Sequence, residues 1–261
     1  MVDIPMKHKG PLGKNSLSSI NNEKVRGSIS FHTLTSLNQI TDGSSNPRAA
    51  ETSRATAPSF VPVSSPADTV RRLSVPALTN LVQKGQKISL PEINQTSRIK
   101  VCFGWNTGNA MCDADVSAFL LGSSAKVISD DWFVFYGQTQ SPDKSIRFHM
   151  DDNLTDREYF TIDFSKLHGN VMKIVFVLTI NEAIAHNLNF SMLSDAYIRI
   201  INMADNKEFV SFKIADYYSN ITSMMFAELY LHNGNWKFSA VGNGVARDLA
   251  GLCEFYGVQT I

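Results

Sequence analysis

Cysteine is scarce in this chain, and its placement excludes two common uses. Cys102, Cys112 and Cys253 are the only cysteines among 261 residues. They form neither a CxxC pair nor an even set, so neither a zinc site nor a disulfide framework is expected. We therefore expect all three to be small, buried hydrophobic side chains.

The chain also lacks a long apolar run and a dense basic patch. No segment reaches the roughly 18 apolar residues of a membrane span, and the N-terminus has no apolar stretch of signal-peptide length. Basic and acidic residues balance at 24 each, without the clustered positive charge that nucleic-acid binding needs. These absences predict a cytoplasmic protein without a membrane span, and nucleic acid is not expected as a partner.

Aromatic residues are nearly absent from the first 80 positions. Phe31 and Phe60 are the only ones there, whereas seven of the nine prolines lie in that stretch among many Ser, Thr and Asn. Such a segment cannot bury enough apolar area to offset its conformational entropy. The sequence therefore predicts a disordered tail over 1–80 and a single folded domain over 81–261.

Short β-rich runs separated by turn residues fill the second part of the chain. Asn233-Gly234 supplies the two positive φ angles of a type I′ hairpin between strands at 226–232 and 235–241. A short helix is expected near the end, where apolar residues recur at helical spacing over 249–256 before Gly257. Further strands are expected at 126–128, 131–136, 173–180, 196–201 and 208–214. This pattern predicts a mainly all-β fold, a β-sandwich of two sheets with a short C-terminal helix.

Carboxylates cluster at two of the expected turns. Asp113 and Asp115 form the first pair, and the stretch 151–158 places four carboxylates within eight residues. Carboxylates this close repel one another unless a cation lies among them. A hard cation such as Ca²⁺ takes about six to eight oxygen ligands from such a mixture. The alternative interpretation is a solvated acidic turn without a metal.

The order of several motifs resembles that of one family, the tellurium-resistance protein D (TerD) stress proteins. The motifs are KGQKISL at 84–90, FGW at 103–105, DADVSAFLL at 113–121, FVFY at 133–136, DNLT at 152–155, IRIIN at 198–202, and ELY through WKFSAVG at 228–242. The resemblance implies a β-sandwich with calcium bound by acidic loops at one end. It also implies no enzymatic activity, an association with resistance to tellurite, chemical stress and phage, and other stress-resistance proteins as partners.

The acidic loops depart from the family pattern in ways that weaken a metal site. About five residues are missing after Thr155, and Arg157 stands where the family places a second Asp. Asn106 replaces an Asp that usually follows Trp105. Each change removes an oxygen ligand or a negative charge, so we expect weakened calcium binding.

The expected calcium ligands come from both acidic segments. Carboxylates are expected from Asp113, Asp115, Asp152 and Glu158, with Asn153, Thr155 and Asp156 as supporting ligands. The alternative is a degenerate site in which Arg157 pairs with Asp152 or Asp156 in place of the metal.

Three classes of function follow from the sequence. The first is a non-catalytic, calcium-dependent stress-response module. The second is a small-ligand binding module, since a relative in the TerD family is described as binding cyclic AMP, although no Gly-rich phosphate loop stands in this domain. The third is an enzyme using Asp113 and Asp115 like the DxD of a sugar-nucleotide transferase. Such enzymes rest on α/β folds whose helices are missing here, so no enzymatic activity is expected.

Overall fold

Strands dominate the part of the chain that the computed structural model describes, residues 72–94, 97–151 and 156–259. In chain order they are β1 (Leu81–Val82), β2 (Lys87–Ser89), β3 (Arg98–Thr107), β4 (Ala114–Leu121), β5 (Phe133–Val134), β6 (Ile146–Met150), β7 (Glu158–Asp163), β8 (Lys173–Ile180), β9 (Leu193–Asn202), β10 (Glu208–Lys213), β11 (Ser223–His232) and β12 (Asn235–Val245). A helix, α1 (Leu249–Tyr256), follows, and two short 3-10 turns lie at Asp130–Trp132 and Phe190–Met192.

The strands form two six-stranded sheets that pack as a sandwich. The first sheet has the order β1-β10-β9-β3-β7-β6, and the second has the order β2-β12-β11-β8-β4-β5. β1 pairs with β10 in parallel, whereas the other strand pairs are antiparallel. This is the mainly β architecture, with a short C-terminal helix, that the sequence predicts.

Aromatic side chains from both sheets meet in the core. The ring of Phe103 in β3 lies 6.0 Å from that of Phe160, 5.6 Å from that of Phe176 and 5.9 Å from that of Phe226. β8 lies between β11 and β4, and its residues 175–178 are at most 1% exposed. Burial on both faces therefore explains the unbroken apolar run in β8.

The C-terminal hairpin and helix match the sequence-based expectations closely. Asn233 and Gly234 connect β11 to β12 with φ angles of 52° and 76°. Asp248 caps α1 by accepting a hydrogen bond from the Gly251 amide at 2.8 Å. Gly257 ends the helix with a φ of 85°, a conformation that costs glycine little because it has no Cβ.

Two of the expected strands are corrected by the structure. Residues 126–128 form no strand; Val127 makes a single bridge to Leu121, and its amide donates to the carbonyl of Tyr256 in α1. The run 131–136 is divided between the 3-10 turn Asp130–Trp132 and the two-residue strand β5. Both errors arise because contacts with distant segments decide the conformation of these short runs.

Residues 1–71 lie outside the described part of the chain, so the disordered tail stays a prediction there. Residues 72–80 are described, and we call them the strap because they lie along the first sheet. Asn80 donates from its amide to Glu208 Oε1 at 2.8 Å, and its carbonyl accepts from the Ser211 amide at 3.0 Å. In the described residues no helix has the length and apolar character to cross a membrane.

Candidate functional site

The expected ligands divide into two groups according to what the structure describes. Asp152, Asn153 and Thr155 lie in the segment 152–155, outside the described residues. The structure describes the other four, which lie in three different environments: Asp113, Asp115, Asp156 and Glu158. The structure therefore places only part of the expected ligand set.

Glu158 connects the two sheets. It is the first residue of β7, where it lies opposite Phe103 of β3, and its side chain is 3% exposed. Its Oε2 accepts a hydrogen bond from the Val116 amide in β4 at 2.8 Å. That amide lies beyond the end of the β4–β5 pairing, so Glu158 satisfies a buried donor that the sheet leaves open.

Asp113 precedes β4 at the same end of the sandwich. Its carbonyl accepts from the Asn181 amide at 2.8 Å, which ties the start of β4 to the loop after β8. Its half-buried carboxylate acts together with Glu158 on Tyr136: burial raises the pKa of Tyr136, and the charges of Asp113 and Glu158 raise it further. Asp113 and Glu158 are thus electrostatic neighbours, although they lie on different sheets.

Asp115 lies within β4, opposite Thr179 of β8. Its half-buried side chain lines a cavity on the outer face of the second sheet. The two members of the Asp113–Asp115 pair therefore occupy different surroundings, one at the end of the sandwich and one in this cavity.

Arg157 places a positive charge beside the Asp113–Glu158 pair. Its amide donates to the carbonyl of Phe103 at 2.7 Å, and its Nε donates to the carbonyl of Trp105 at 2.5 Å. Burial lowers the pKa of the Arg157 guanidinium, while Glu158 and Asp113 oppose that effect by favouring its charged form. An internal cation therefore already neutralises part of the acidic cluster.

Asp156 is engaged by residues that the sequence did not suggest. Arg199 of β9 donates from Nε and Nη2 to its two carboxylate oxygens at 3.0 Å and 2.8 Å, and the Tyr197 hydroxyl donates at 3.0 Å. The Asp156 side chain is 1% exposed. A metal at Asp156 would have to compete with this buried, bidentate pair. Arg199 belongs to the IRIIN motif at 198–202, but nothing in the sequence links it to Asp156, which is 43 positions away.

The strap is attached next to this region by Asn106. Asn106 Oδ1 accepts from the Leu73 amide at 2.7 Å, and Nδ2 donates to the Leu73 carbonyl at 3.0 Å. Asp195 contacts both Asn106 and the strap: its Oδ2 accepts from Asn106 Nδ2 at 3.2 Å and lies 3.7 Å from Arg72 Nη2. Asp195 has a φ of 55°, which a non-glycine residue adopts only when its surroundings require it.

A β-bulge in β3 determines the direction of the Asn106 side chain. The register between β3 and β9 shifts between Gly104 and Asn106, which turns Asn106 toward the strap. A Cβ on Gly104 would collide with the ring of Tyr197, so glycine permits the close packing of β3 against that side chain. The substitution of Asn for the family's Asp at 106 thus coincides with a structural role, because a carboxamide both donates and accepts, whereas a carboxylate only accepts.

Hydrogen bonds and arginine side chains stabilise the charges of the described carboxylates, which do not by themselves form a set of metal ligands. Within 72–94, 97–151 and 156–259, no group of three or more His, Cys, Asp or Glu side chains is placed to hold a metal ion. These residues offer two carboxylates, Asp113 and Glu158, and one guanidinium on which both act. The acidic segment 152–155 adjoins them in sequence. Their oxygen chemistry suits a hard cation, whereas Arg157 opposes one.

Comparisons with known proteins place this arrangement in context. The TerD domain family matches residues 78–256. General stress protein 16U of Bacillus subtilis (strain 168) is 38% identical over 192 residues, covering 70% of this chain and 99% of that protein. Tellurium resistance protein TerD of Serratia marcescens is 38% identical over 187 residues, covering 68% of this chain and 97% of that protein. A solved structure described as a homologue of telluride resistance protein (TerD), from Streptomyces coelicolor A3(2), aligns at 15% identity with a TM-score of 0.47, covering 64% and 99% of the two chains.

Proposed function

The chain belongs to the TerD family, and from this membership we propose that it is a non-catalytic stress-response protein that binds calcium at the acidic end of its sandwich. The stress role is supported by the similarity to relatives named for general stress and tellurium resistance. Other stress-resistance proteins are the partners that this role favours. The cytoplasmic location expected from the sequence stays a prediction.

The calcium proposal is supported most directly by the fact that Asp113 and Glu158 act on the same two side chains. Both carboxylates act on Tyr136 and on Arg157, so their fields overlap at one end of the sandwich. The residues between Asp151 and Asp156 lie outside the described part of the chain, and by their sequence they carry the Asp152 carboxylate, the Asn153 amide and the Thr155 hydroxyl. Oxygen donors of these three kinds are the ligands that Ca²⁺ takes in proteins.

The fit of calcium to these residues is partial. The residues that would hold the ion are Asp113, Glu158, Asp152, Asn153 and Thr155. Asp115 lines a cavity that Tyr136 also lines, and Asp156 is held by Arg199. Arg157 competes with the ion for the same carboxylates. We therefore propose weak binding that Arg157 limits.

Calcium titration of the full chain by calorimetry tests this proposal. We expect saturable heat in the wild type, no heat in Asp113→Asn, and unchanged heat in the control Asp216→Asn, whose side chain is exposed outside the site. Arg157→Gln is the informative variant, because removing one repelling charge near a divalent ion should tighten binding by about tenfold, the effect of about 1.4 kcal/mol.

A scaffold with a degenerate metal site is the second candidate. It is favoured by the two arginines, Arg157 and Arg199, which already balance the described carboxylates. Absence of calcium heat in both the wild type and Arg157→Gln would reject the calcium proposal and support the scaffold. If calcium heat is absent in the wild type but present in Arg157→Gln, then Arg157 alone prevents calcium binding.

A further inference from the structure

A cavity of about 360 Å³ lies on the outer face of the first sheet, over β6, β7 and the start of β3. The inward residues of β6 and β7 are buried in the core: Ile146, Phe148, Phe160 and Ile162. Because successive residues of a strand point to opposite faces, Arg147 of β6 and Thr161 of β7 point outward, where they pair across the two strands. Both line this cavity, which we call the basic cavity after the charged side chains around it.

Positive charge collects around the basic cavity. Four cationic side chains line it: Arg98, Lys144, Arg147 and Lys166. Asp163 supplies the one carboxylate among the described residues of the lining, so four positive charges face one negative charge. The chain as a whole has 24 basic and 24 acidic residues, so this excess is local. Strand pairing gathers it from positions 98–166, and the resulting field attracts an anion.

Asp163 neutralises only one side of the basic cavity. Its Oδ2 lies 3.8 Å from Arg98 Nε and 3.4 Å from Lys166 Nζ. Arg147 and Lys144, by contrast, make neither an ion pair nor a side-chain hydrogen bond within the part of the chain that the structure describes, and both are exposed. The N–H donors of the Arg147 guanidinium and the Lys144 ammonium are therefore free to bind an anion.

Two basic residues flank Thr161 on the sheet. Lys100 of β3 and Arg147 of β6 both pair with Thr161, one on each side. The same row continues to Ile201 and Gln140, neither of which is acidic. Neighbouring strands lie about 4.8 Å apart, so the backbones of Lys100 and Arg147 are about 10 Å apart, and both side chains rise from one face. An anion above Thr161 would lie between the two charges and lower their repulsion.

His149 experiences the same positive field. Its Nε2 lies 3.2 Å from the Thr161 hydroxyl, and its ring stacks on that of Tyr159 at 4.6 Å. Burial lowers the pKa of His149, and the charges of Arg147 and Lys100 lower it further. His149 is therefore neutral above pH 7, where it adds a hydrogen-bonding ring nitrogen beside Thr161 but no charge.

A phosphate monoester matches this lining. Near neutral pH it carries about two negative charges and several strong acceptor oxygens. A guanidinium binds two such oxygens at once, and an ammonium adds a compact charge. The cavity has room beyond the phosphate, and the Gln140 carboxamide and Thr161 hydroxyl on its lining suit hydroxyl groups. We propose that the basic cavity binds a small, soluble phosphate monoester with a hydroxylated body, such as a sugar phosphate. Arg147 and Lys144 bind the phosphate, and Gln140 binds the body.

Calorimetry on the full chain in metal-free Tris buffer of low ionic strength tests this site apart from any calcium binding. EDTA is left out because it is itself a polyanion. The probes are glucose 6-phosphate and glycerol 3-phosphate, with glucose as the neutral counterpart, and we expect saturable heat with at least one ester and at least about tenfold weaker binding of glucose. Absence of saturable heat with both esters at millimolar concentration would overturn the proposal, as would equal binding of glucose and its phosphate.

Matched variants locate the site. Arg147→Gln should weaken binding of the ester by at least about tenfold, whereas Arg247→Gln, which changes an exposed arginine outside the cavity, should leave it unchanged. Lys144→Gln and the exposed Lys87→Gln form a second pair with the same expectation. Each pair removes one positive charge in both members, so a difference within a pair does not come from net charge. Equal binding within both pairs would contradict the assignment.

Vesicles separate a soluble ligand from a lipid headgroup, which offers the same phosphate group. Cosedimentation with phosphatidylcholine vesicles that carry phosphatidylinositol 4-phosphate, in a protein that gives no heat with the soluble esters, would reject the soluble ligand. All of these measurements omit calcium, so a failure of the calcium titration leaves their outcome unaffected.

Discussion

Asn106 lies 33 positions from Leu73 along the chain, yet its carboxamide completes the main-chain hydrogen bonds of Leu73 on both sides. Leu73 is 9% exposed and Asn106 is 3% exposed, so both hydrogen bonds are buried. We call this pair of hydrogen bonds between Asn106 and Leu73 the clamp. It holds the main chain of Leu73 and not its side chain. It fixes the strap at the end of the sandwich where Arg157 contacts Trp105.

We expect Asn106→Asp to release the strap. A carboxylate cannot donate to the Leu73 carbonyl, and it would lie beside Asp195, so the free energy of unfolding should fall by about 1–3 kcal/mol. Urea denaturation measures this loss, and trypsin should cleave after Arg72 faster than in the wild type. The exposed Asn220→Asp is the matched control. Equal cleavage rates in the two variants would show that the clamp does not hold the strap.

Breaking the buried pair of Asp156 and Arg199 should be costly. Asp156→Asn leaves the guanidinium without its charge partner, and we expect a loss of about 3–5 kcal/mol in the free energy of unfolding, measured in EDTA. Lys166→Met, which removes an exposed partner of Asp163 at 3.4 Å, should cost no more than about 1 kcal/mol.

A double-variant cycle isolates the interaction itself. Asp156→Asn combined with Arg199→Met should cost less than the sum of the single changes, by about 0.5–3 kcal/mol. Strict additivity would mean that the two side chains contribute to stability independently, against the bidentate geometry.

The sequence predicted most of the fold because the signals were local. The apolar run of β8, the Asn233-Gly234 turn and the Gly257 stop each depend on neighbouring residues, and each stands as expected. Residues 126–128 were expected to be a strand because their side chains favour one. Tertiary contacts decide otherwise, since the Val127 amide donates to Tyr256.

The site was predictable only as a set of residue types. The density of acidic residues in the sequence pointed to Asp113 and Glu158. The partner that each carboxylate binds, however, depends on how the strands pair across the sheets. Asp156 pairs with Arg199 because β3 lies between β7 and β9, which no spacing rule reveals. The cavity that Asp115 lines is likewise formed by segments from four separate parts of the chain.

The contact between Gly104 and Tyr197 predicts a sharp difference between two glycines. Gly104→Ala would push a methyl group into the buried ring of Tyr197, and overpacking of this kind costs about 1–3 kcal/mol or more. Gly108→Ala is the matched control, because a Cβ there meets no atom within 4 Å. Thermal unfolding should separate the two variants, and similar melting temperatures would indicate that Tyr197 moves aside freely.

The buried thiol of Cys253 predicts alkaline destabilisation. Burial, with smaller contributions from Asp248 and Asp130, raises the pKa of Cys253 to about 12. An unfolded thiol titrates near about 8.5, so the unfolded state releases its proton first as the pH rises. The contribution of the protonated Cys253 thiol to the free energy of unfolding is fully present below about pH 8.5. It declines as the pH rises toward about 12, by at most about 1.4 kcal/mol per pH unit.

Replacing Cys253 with Ala removes this titration. Urea denaturation between about pH 9 and about pH 10.5 should show a shallower loss of stability in Cys253→Ala than in the wild type. Other groups that titrate in this range, including Cys102, are present in both proteins and cancel. Parallel pH profiles would show that Cys253 ionises in the folded state as readily as in the unfolded one.

The strap also determines the point at which residues 1–71 are attached to the domain. Residues 1–71 join the described part of the chain at Arg72, which Asp195 contacts near the acidic end. A chain spans at most about 3.3–3.6 Å per residue, so anything carried by the first residues stays within about 250 Å of that point. The longest strand, the 11-residue β12, spans only about 36 Å. The hydrogen bonds of Asn106 to Leu73 therefore determine where the N-terminal segment is attached, and they do not restrict which end of the sandwich it can meet.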